Sequence, residues 1–537
     1  MKKTIIATAL SLACVAAGAQ SKSFNLAKWM QTESAILQEL NRSYVDSLPV
    51  ERMQKAGVDA MLSTLDPYTI WVPEEDEDNF EMMIGKTYGG IGAIIYKPDV
   101  QGPVYINEPY ANSPAAKAGL RCGDEIYAID GQTTAGLNAS EASSRMKGEA
   151  GTKVTFSVKR VYTGAMEDIT IQRERIHLPD IEYCGMLEDG KTGYMLLSGF
   201  TEGVAKDVRT HVKQLKEQGM ERFVLDLRGN GGGILQQAVE IVGIFVPKGS
   251  LVVSSKGNGT TRDETFTTRQ EPLDTEMPLI VLVNSGSASA SEIVAGSLQD
   301  YDRATIMGQR SYGKGLVQSI RPMPFGGQLK LTTAKYYIPS GRCVQAIDYS
   351  HRNEDGSVGF IPDSLTREFK TLHGRTVRDG GGITPDVVLK PKEYSRLAYS
   401  LVLNGIVEQY AMEYVRKHEA IPAVKDFHFT EYDDFIGYAS GREFDYRTSA
   451  RATYDRMVEE LRKDGMEDSV KDELDALKSR LDLDKEAFLR LQEAELVPFI
   501  EQEIVTRYYF QEGGAELMLR YDDELRQALS SPMIEIQ

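Results

Sequence analysis

The chain has 537 residues, of which 41% are hydrophobic and 26% charged, and its formal net charge is −18. That length provides for about three or four domains with several buried cores, and the composition is typical of soluble globular proteins. The acidic excess, without a long run of Lys and Arg, argues against a nucleic-acid-binding protein, which would carry a basic stripe.

The N-terminus, MKKTIIATALSLACVAAGAQ, has the three-part layout of a secretory signal. A basic start is followed by an apolar stretch over residues 5–17 and then by small residues, which predict cleavage after Ala19. The apolar stretch is too short to favour a membrane anchor. Lipidation of Cys14 is disfavoured because Ser11 stands where a lipoprotein signal usually has Leu. The sequence therefore predicts a secreted protein.

After cleavage the chain would keep three widely spaced cysteines, Cys122, Cys184 and Cys343. Their spacing matches neither a disulfide framework nor a metal-binding knuckle. We therefore expect mostly structural thiols, with one disulfide allowed.

The first two regions of the chain differ in their periodicity. Residues 25 to about 80 are expected to be helical until LDPYT at 65–69 breaks the pattern. The apolar residues at helical spacing are Leu26, Trp29, Met30, Ile36, Leu37, Leu40 and Tyr44. From 86 to 175, short strands such as TKVTFSVKR are separated by Gly, Pro and Asp turns, with one helix predicted near ASEASSRMKG.

Further along the chain, strands and helices alternate from about residue 190, which predicts a layered α/β domain. Beyond about residue 395 the chain is expected to be helical, with charges of both signs that are typical of a solvated surface. An apolar stripe in that region predicts packing either on the protein's own core or on a second subunit. The stripe consists of Leu474, Leu477, Leu481 and Leu489.

The stretch LIVLVNSGSASASEIVAG, residues 279–296, follows an apolar strand with serines at alternate positions. Ser289 and Glu292 fit the capping box Ser-x-x-Glu, so this stretch alone favours a helix cap. A nucleophile at a strand-to-helix turn would look similar, because amides at a helix N-terminus can stabilise an oxyanion. Both interpretations stay open on this stretch alone.

A nucleophilic serine needs a base, and the six histidines of the chain lie in no motif-like context. They are His177, His211, His351, His373, His418 and His428. No Gly-x-Ser-x-Gly elbow surrounds Ser289, which argues against a Ser-His-Asp esterase.

A neutral lysine is the other recognised base for a serine nucleophile. In GQRSYGKGLVQSI, residues 308–320, Lys314 lies between two glycines. If a strand follows, Gln318 lies on the same face and can orient the amine. The lysine pKa would have to fall by about three units, which costs about 4 kcal/mol and requires burial. Spacing alone favours an exposed loop lysine.

The segment LDLRGNGGG, residues 225–233, places consecutive glycines directly after a buried strand. Such a turn suits backbone amides that approach a ligand. The alternatives are a flexible turn and a phosphate loop, although the Walker pattern is absent because no Gly-Lys-Ser/Thr follows.

Taken together, these segments resemble the carboxyl-terminal processing peptidases, also called tail-specific proteases. The resemblance runs from about residue 36 to 395 and rests on seven segments in the family's order. They are LDPYT, YGGIGAII, SPAAKAGLRCGDEI, LDLRGNGGG, VNSGSASASEI, SYGKGLVQ and KLTTAKYYIPSGR. Seven such segments in sequence are highly specific, although each is weak alone.

The resemblance implies a Ser/Lys catalytic dyad on a crotonase-like α/β core. By position, Ser289 is the nucleophile, Lys314 is the base and Gln318 supports the lysine. The oxyanion hole would be formed by the backbone amides of Ala290 and Gly232. Ser289 would then occupy the N-cap position of a helix and also attack the substrate.

The region 86–175 resembles a PDZ domain, in which a peptide adds as a strand while backbone amides hold its C-terminal carboxylate. The carboxylate-binding loop would be YGGIG, which comprises Tyr88, Gly89, Gly90, Ile91 and Gly92.

The predicted fold class is a multidomain α+β protein. It divides into a signal peptide (1–19), an N-terminal helical region (20–85), the PDZ domain (86–175), the peptidase core (176–395) and a C-terminal helical region (396–537). The predicted function is a secreted, periplasmic serine endopeptidase that selects proteins with exposed C-termini, without metal or cofactor. The alternative is a catalytically inactive PDZ scaffold. A homo-oligomer through the terminal helices and an activating partner protein are also considered.

Overall fold

The computed structural model describes residues 2–258, 262–353, 355–445, 448–482 and 484–533. The side chains of residues 1–22 lie outside the described part of the chain. This range includes the predicted signal segment and Cys14. The chain divides into two compact units, Met1–Trp71 and Val72–Gln537. Among the described residues, no helix combines the length and apolar character that a membrane crossing requires.

The first unit is helical, as predicted. Helices α1 and α2 span Lys2–Ser43 and Val50–Ser63. The LDPYT segment ends the helical part because Asp66 Oδ1 accepts the backbone N–H groups of Tyr68 and Thr69, at 2.9 and 2.8 Å, which closes a turn. The apolar stripe of α1 is largely solvent-exposed, with Trp29 at 66% exposure.

The second unit begins with short elements and a β-rich region. Strand β1 (Ile70–Val72) spans the boundary between the two units in the sequence. Helix α3 (Glu77–Gly85) follows, and the next strands are β2 (Thr87–Gly90), β3 (Ala93–Tyr96), β4 (Val104–Pro109), β5 (Glu125–Ile129), β6 (Gln132–Thr133), β7 (Lys153–Lys159), β8 (Met166–Gln172) and β9 (Glu174–His177). Helices α4 (Pro114–Lys117) and α5 (Ala139–Met146) lie between them, and α5 is the helix predicted near residue 140. The sheet order is β3-β4-β5-β7-β8, so β3 is an end strand.

The alternating region forms a six-stranded sheet of order β10-β11-β12-β15-β16-β23. Its strands are β10 (Ile181–Met186), β11 (Thr192–Leu197), β12 (Arg222–Asp226), β15 (Leu279–Val283), β16 (Thr305–Gly308) and β23 (Val387–Val388). Only β10 is antiparallel to its neighbour. Helices α6 (Val204–Glu217), α7 (Leu235–Val242) and α8 (Ala290–Asp300) connect them. The glycine loop follows β12 and Ser289 follows β15, so both lie at the carboxyl edge of adjacent parallel strands, where such sheets bind ligands.

A second, antiparallel sheet carries the segment after Lys314. It includes β13 (Leu251–Gly257), β14 (Glu264–Thr267), β17 (Leu316–Pro322) and β18 (Gln328–Tyr337). Strand β18 pairs with β13 and β17. Two hairpins follow, β19 (Ile347–Arg352) with β20 (Val358–Phe360) and β21 (Glu368–Lys370) with β22 (Thr376–Arg378).

The rest of the described chain is helical, as predicted. The helices are α9 (Arg396–Leu403), α10 (Ile406–Lys417), α11 (Tyr432–Ser440), α12 (Ser449–Lys463), α13 (Lys471–Leu481), α14 (Lys485–Leu491), α15 (Glu493–Leu519) and α16 (Asp523–Ser530). The four leucines of the predicted stripe are not buried together. Leu489 is fully buried in the core of this helical region, whereas Leu477 is 42% exposed.

The two faces of the six-stranded sheet are covered by different parts of the chain. Phe223 and Leu225 on β12 face the core that α6, α7 and α8 complete. Val224, between them, faces the opposite core, where Leu525 and Ala528 of α16 pack. The C-terminal helical region therefore packs on the protein's own sheet, one of the two options that its apolar positions left open.

The cysteines Cys122, Cys184 and Cys343 are all free thiols. The disulfide that the sequence allowed is therefore not formed among them.

Candidate active site

Ser289 lies directly at the N-terminus of α8, as the capping pattern predicts. Its backbone has φ +56° and ψ −111°, a region that non-glycine residues rarely adopt. Such a conformation costs about 1–3 kcal/mol and persists only where the surroundings impose it. The strand-to-helix turn thus holds Ser289 in a strained position, as is common at functional sites.

The glycine loop lies against this turn. Gly232 has φ +98°, and a Cβ there would be 2.7 Å from the carbonyl oxygen of Ala288 and 2.9 Å from the amide nitrogen of Ala290. Only glycine fits so close to another backbone. The amide of Gly232 donates to Asn230 Oδ1 at 2.9 Å, whereas Ala290 begins α8, so its amide has no acceptor within the helix.

Asn230 forms hydrogen bonds that connect the glycine loop after β12 to the turn that carries Ser289. The sequence did not predict this role. It is fully buried, and its side-chain nitrogen donates to the carbonyl oxygen of Leu197 at 2.7 Å. Its backbone carbonyl accepts the amide of Ala288 at 3.0 Å and the hydroxyl of Ser291 at 2.8 Å. Within the sequence, the only signal for this residue was its position in the polar turn.

Glu292 joins the predicted nucleophile and the predicted base. Its Oε2 accepts the backbone amides of Ser289 at 2.9 Å and Lys314 at 2.8 Å. Its Oε1 accepts the hydroxyl of Ser311 at 2.6 Å and the amide of Gly313 at 2.7 Å. The side chain is fully buried, and this burial raises its pKa, against the opposing effect of the four hydrogen bonds.

The capping pattern predicted only the first of these contacts. The other three come from a segment 19 to 22 residues further along the chain, so no local pattern could reveal them.

Lys314 precedes strand β17 rather than lying within it. The strand begins at Leu316, and its pairing with β18 shifts register between Val317 and Gln318. The simple alternation assumed from the sequence is therefore interrupted by an irregularity of the β-bulge type. The Gln318 amide nitrogen donates to Thr332 Oγ1 at 3.2 Å, which fixes the orientation of the carboxamide.

A cavity of about 590 Å³ brings the predicted catalytic residues together. Ser289, Lys314, Gln318 and Gly232 all line it. Most of the remaining lining is apolar or aromatic: Ile84, Phe200, Ile234, Leu235, Ile293, Leu316, Val317, Ile320 and Tyr336.

No histidine appears among the described residues that line this cavity. His351 does contact Asp348 and Ser350, but its side chain is 86% exposed on the hairpin of β19 and β20, and all three residues lie within four positions of the chain. This local cluster lies outside the cavity of Ser289.

Comparison with known proteins identifies the family of the chain. Family descriptions match three parts of the chain: peptidase family S41 at residues 191–351, a PDZ domain at 105–160, and the C-terminal helical domain of probable PDZ-proteases at 397–531. A carboxy-terminal-processing protease of Bartonella bacilliformis is 36% identical over 316 residues, which cover 58% of this chain and 71% of the relative. A carboxyl-terminal-processing protease of Synechocystis sp. is 38% identical over 58% of this chain and 70% of the relative.

The chain belongs to the carboxyl-terminal processing proteases. It is a serine-type peptidase with a PDZ domain. Among solved structures, a photosystem II D1 C-terminal processing protease is similar over 66% of this chain and 91% of its own, with 23% identity and a TM-score of 0.35.

In this processing protease only part of the predicted peptide-binding segment is a loop. Residues 88–90 lie in β2, which pairs antiparallel with β9, and Ile91 and Gly92 connect β2 to β3. Ile91 is buried, and Gly92 has φ +74° with the Cβ of Ser113 only 2.5 Å from where its own Cβ would lie. Strand β3 follows and is paired only with β4 among the described strands, so its outer edge is open to a further strand.

A positive charge lies beside that loop. The ammonium of Lys147, the residue after α5, is 5.4 Å from the ring centroid of Tyr88. Burial raises the pKa of Tyr88. Lys147 and Tyr88 therefore place a cation and a neutral aromatic ring beside the predicted peptide-binding segment.

Proposed function

We propose that this processing protease is an exported endopeptidase that cleaves through an acyl-enzyme, with Ser289 as nucleophile and Lys314 as general base. The observation that carries the proposal is the Glu292 carboxylate, which holds the backbone of both residues at one cavity. These hydrogen bonds keep the backbones of the two residues in fixed relation, which a nucleophile and a base that act together require.

In the proposed reaction the neutral Lys314 amine takes the proton from Ser289 Oγ as the oxygen attacks the scissile carbonyl. The lysine then gives this proton to the departing amine of the C-terminal fragment, and an ester to Ser289 remains. Water attacks the ester after losing a proton to Lys314, and the new carboxyl terminus leaves as Ser289 regains its proton. The apolar lining of the cavity favours the uncharged amine that this sequence of steps requires.

The amides of Ala290 and Gly232 are proposed to stabilise the oxyanion, and Gln318 to orient the lysine. The free first-turn amide of Ala290 supports the first assignment. The Gly232 amide would exchange its bond to Asn230 for one to the oxyanion. Support for Gln318 comes from its contact with Thr332, which leaves the carboxamide oxygen available to a neighbouring ammonium.

Substrate selection is proposed to occur at the loop 88–92, with the tail of the substrate added to the edge of β3. This proposal keeps the predicted domain division, with the PDZ domain over 86–175 between a helical region and a peptidase core over 176–395. Export to the periplasm rests on the N-terminal signal pattern alone.

Amidation of the substrate's C-terminus tests this selection. We expect a model substrate with an amidated tail to be cleaved at least about tenfold more slowly than the free acid, because charge-assisted hydrogen bonds are worth about 1.5–3 kcal/mol each. The measurement compares kcat/KM for both forms. Equal values would remove the loop from tail recognition, and failure to cleave either form would favour the inactive scaffold.

A homo-oligomer through terminal helices is also proposed. Its support is the exposed apolar surface of α1, where Phe24, Leu26 and Met30 are each more than 60% exposed beside Trp29. We expect light scattering to give a dimer for the wild type and a monomer for a Leu26→Glu/Trp29→Glu variant. A monomeric wild type would contradict the oligomer and would favour the activating partner protein as the occupant of this surface.

A further inference from the structure

Three lysines line the active-site cavity of this acidic protein. Its described lining includes Lys86, Lys314 and Lys330 but neither Asp nor Glu, although the chain carries a net charge of −18. Whether a lysine there attracts an anionic ligand depends on whether its own charge is already compensated.

The three lysines differ in how their charge is compensated. Lys86 forms an ion pair with Asp180 at 3.0 Å and donates to the Ser198 hydroxyl at 3.0 Å. Lys314 is the proposed general base and works as a neutral amine. Lys330 forms neither an ion pair nor a hydrogen bond within the part of the chain that the structure describes, and burial lowers its pKa.

The strand pairing places Lys330 close to the proposed catalytic residues. In β18 it lies opposite Ile320, and two positions before Thr332, the residue that holds Gln318. Alternate residues of a strand share a face and lie about 7 Å apart. An extended substrate that reaches Ser289 would therefore pass Lys330 within a few residues of the scissile bond.

We propose that Lys330 is a specificity residue that binds a carboxylate of the substrate near the scissile bond. The proposal rests on the function proposed for Ser289 and Lys314. A half-buried ammonium without a partner is unfavourable, and a carboxylate supplies both the opposite charge and the acceptor that this ammonium lacks. Two sources offer that group: an Asp or Glu side chain, or the terminal carboxylate of a short tail.

Matched peptides distinguish these sources. One pair keeps an amidated terminus and differs only by Glu or Gln at positions scanned around the cleavage site. A second pair keeps Gln and differs only by a free or amidated terminus a few residues beyond the cleavage site. The enzymes are the wild type, Lys330→Met, Lys330→Glu, and Lys335→Met as a control at an exposed lysine of the same strand.

We expect the wild type to cleave the carboxylate-bearing member of one pair at least about tenfold faster in kcat/KM, since a charge-assisted bond of this strength corresponds to that ratio. Lys330→Met should lose this preference and keep the wild-type kcat/KM for the neutral peptide. Lys330→Glu should prefer a peptide with Lys at the same position, and Lys335→Met should behave as wild type. A terminal preference that survives in Lys330→Met belongs to the PDZ loop and does not count for Lys330.

Two results would overturn the proposal. One is a wild type without preference in either pair, and the other is an equal loss of activity on neutral and acidic peptides in Lys330→Met, which would place Lys330 in the proton-transfer machinery. Peptide affinity measured by fluorescence anisotropy in a Ser289→Ala background reports the same preference without chemistry. If Ser289→Ala still cleaves peptides, Ser289 is not the nucleophile. The affinities of the matched peptides then still show whether Lys330 binds a carboxylate.

Discussion

Replacement of Ser289 by Ala should reduce kcat/KM by at least about a thousandfold and leave the fold intact. Loss of a catalytic nucleophile leaves only the contributions of binding and of the oxyanion hole. Lys314→Ala should cause a loss of similar size, and the double variant should be little worse than either single variant, because residues that act as a unit are not additive. Peptide cleavage and thermal unfolding measured together check this expectation.

Matched control variants distinguish the loss of a catalytic group from a local change in structure. Ser285→Ala removes an exposed hydroxyl from the same serine-rich turn, and Lys335→Ala removes an exposed lysine that lies opposite Leu316 in the pairing of β17 with β18, two residues after Lys314. Both should keep near wild-type activity. Replacing any one histidine should also leave substantial activity, since none lines the described cavity. An inactive histidine variant with wild-type melting would show that Lys314 is the wrong base.

The second large effect is expected for Glu292→Gln. Glutamine keeps one acceptor oxygen but turns an NH₂ group towards backbone amides that now donate to a carboxylate oxygen. Each buried donor left without an acceptor costs about 1–3 kcal/mol. We therefore expect a lower melting temperature together with a fall in kcat/KM of about a hundredfold or more, because in either orientation the NH₂ group faces backbone amides that join the two segments: those of Ser289 and Lys314, or that of Gly313.

Ser311→Ala serves as the graded control for this prediction. It removes one of the four hydrogen bonds to Glu292 and also the acceptor of the buried Ile383 amide, so it lowers stability as well. Its loss in kcat/KM should be smaller than that of Glu292→Gln, because the bonds from Glu292 to the amides of Ser289 and Lys314 remain. Wild-type activity and melting in Glu292→Gln would show that the carboxylate does not hold the two segments together.

The sequence predicted the parts of the site that have a local pattern. The capping pattern predicted that Ser289 begins a helix, whereas the assignment of Ser289 as nucleophile and of Lys314 as base came from the family resemblance and stays a prediction. The roles of Asn230 and Glu292 depend on contacts between segments distant in the chain, such as Ser291 with Asn230. Side-chain type alone does not determine such partners.

For the fold as well, the sequence predicted the local elements but not the contacts between distant segments. Alternation of strands and helices predicted the layered α/β region, and the period of the C-terminal region predicted its helices. The order of the six strands, and the packing of α16 against the second face of that sheet, depend on the whole buried surface rather than on any one segment. The exposure of Leu477 beside the buried Leu489 shows that a stripe at helical spacing does not specify what covers it.

The most direct test of the central claim is covalent labelling with a fluorophosphonate probe, followed by peptide mass spectrometry. We expect one adduct per chain, located on Ser289, and a labelling rate reduced by at least about a hundredfold in Lys314→Ala, because the probe needs the serine oxygen activated by its base. Labelling at another residue would show that Ser289 is not the nucleophile. Labelling of Ser289 at an unchanged rate in Lys314→Ala would show that Lys314 is not its base.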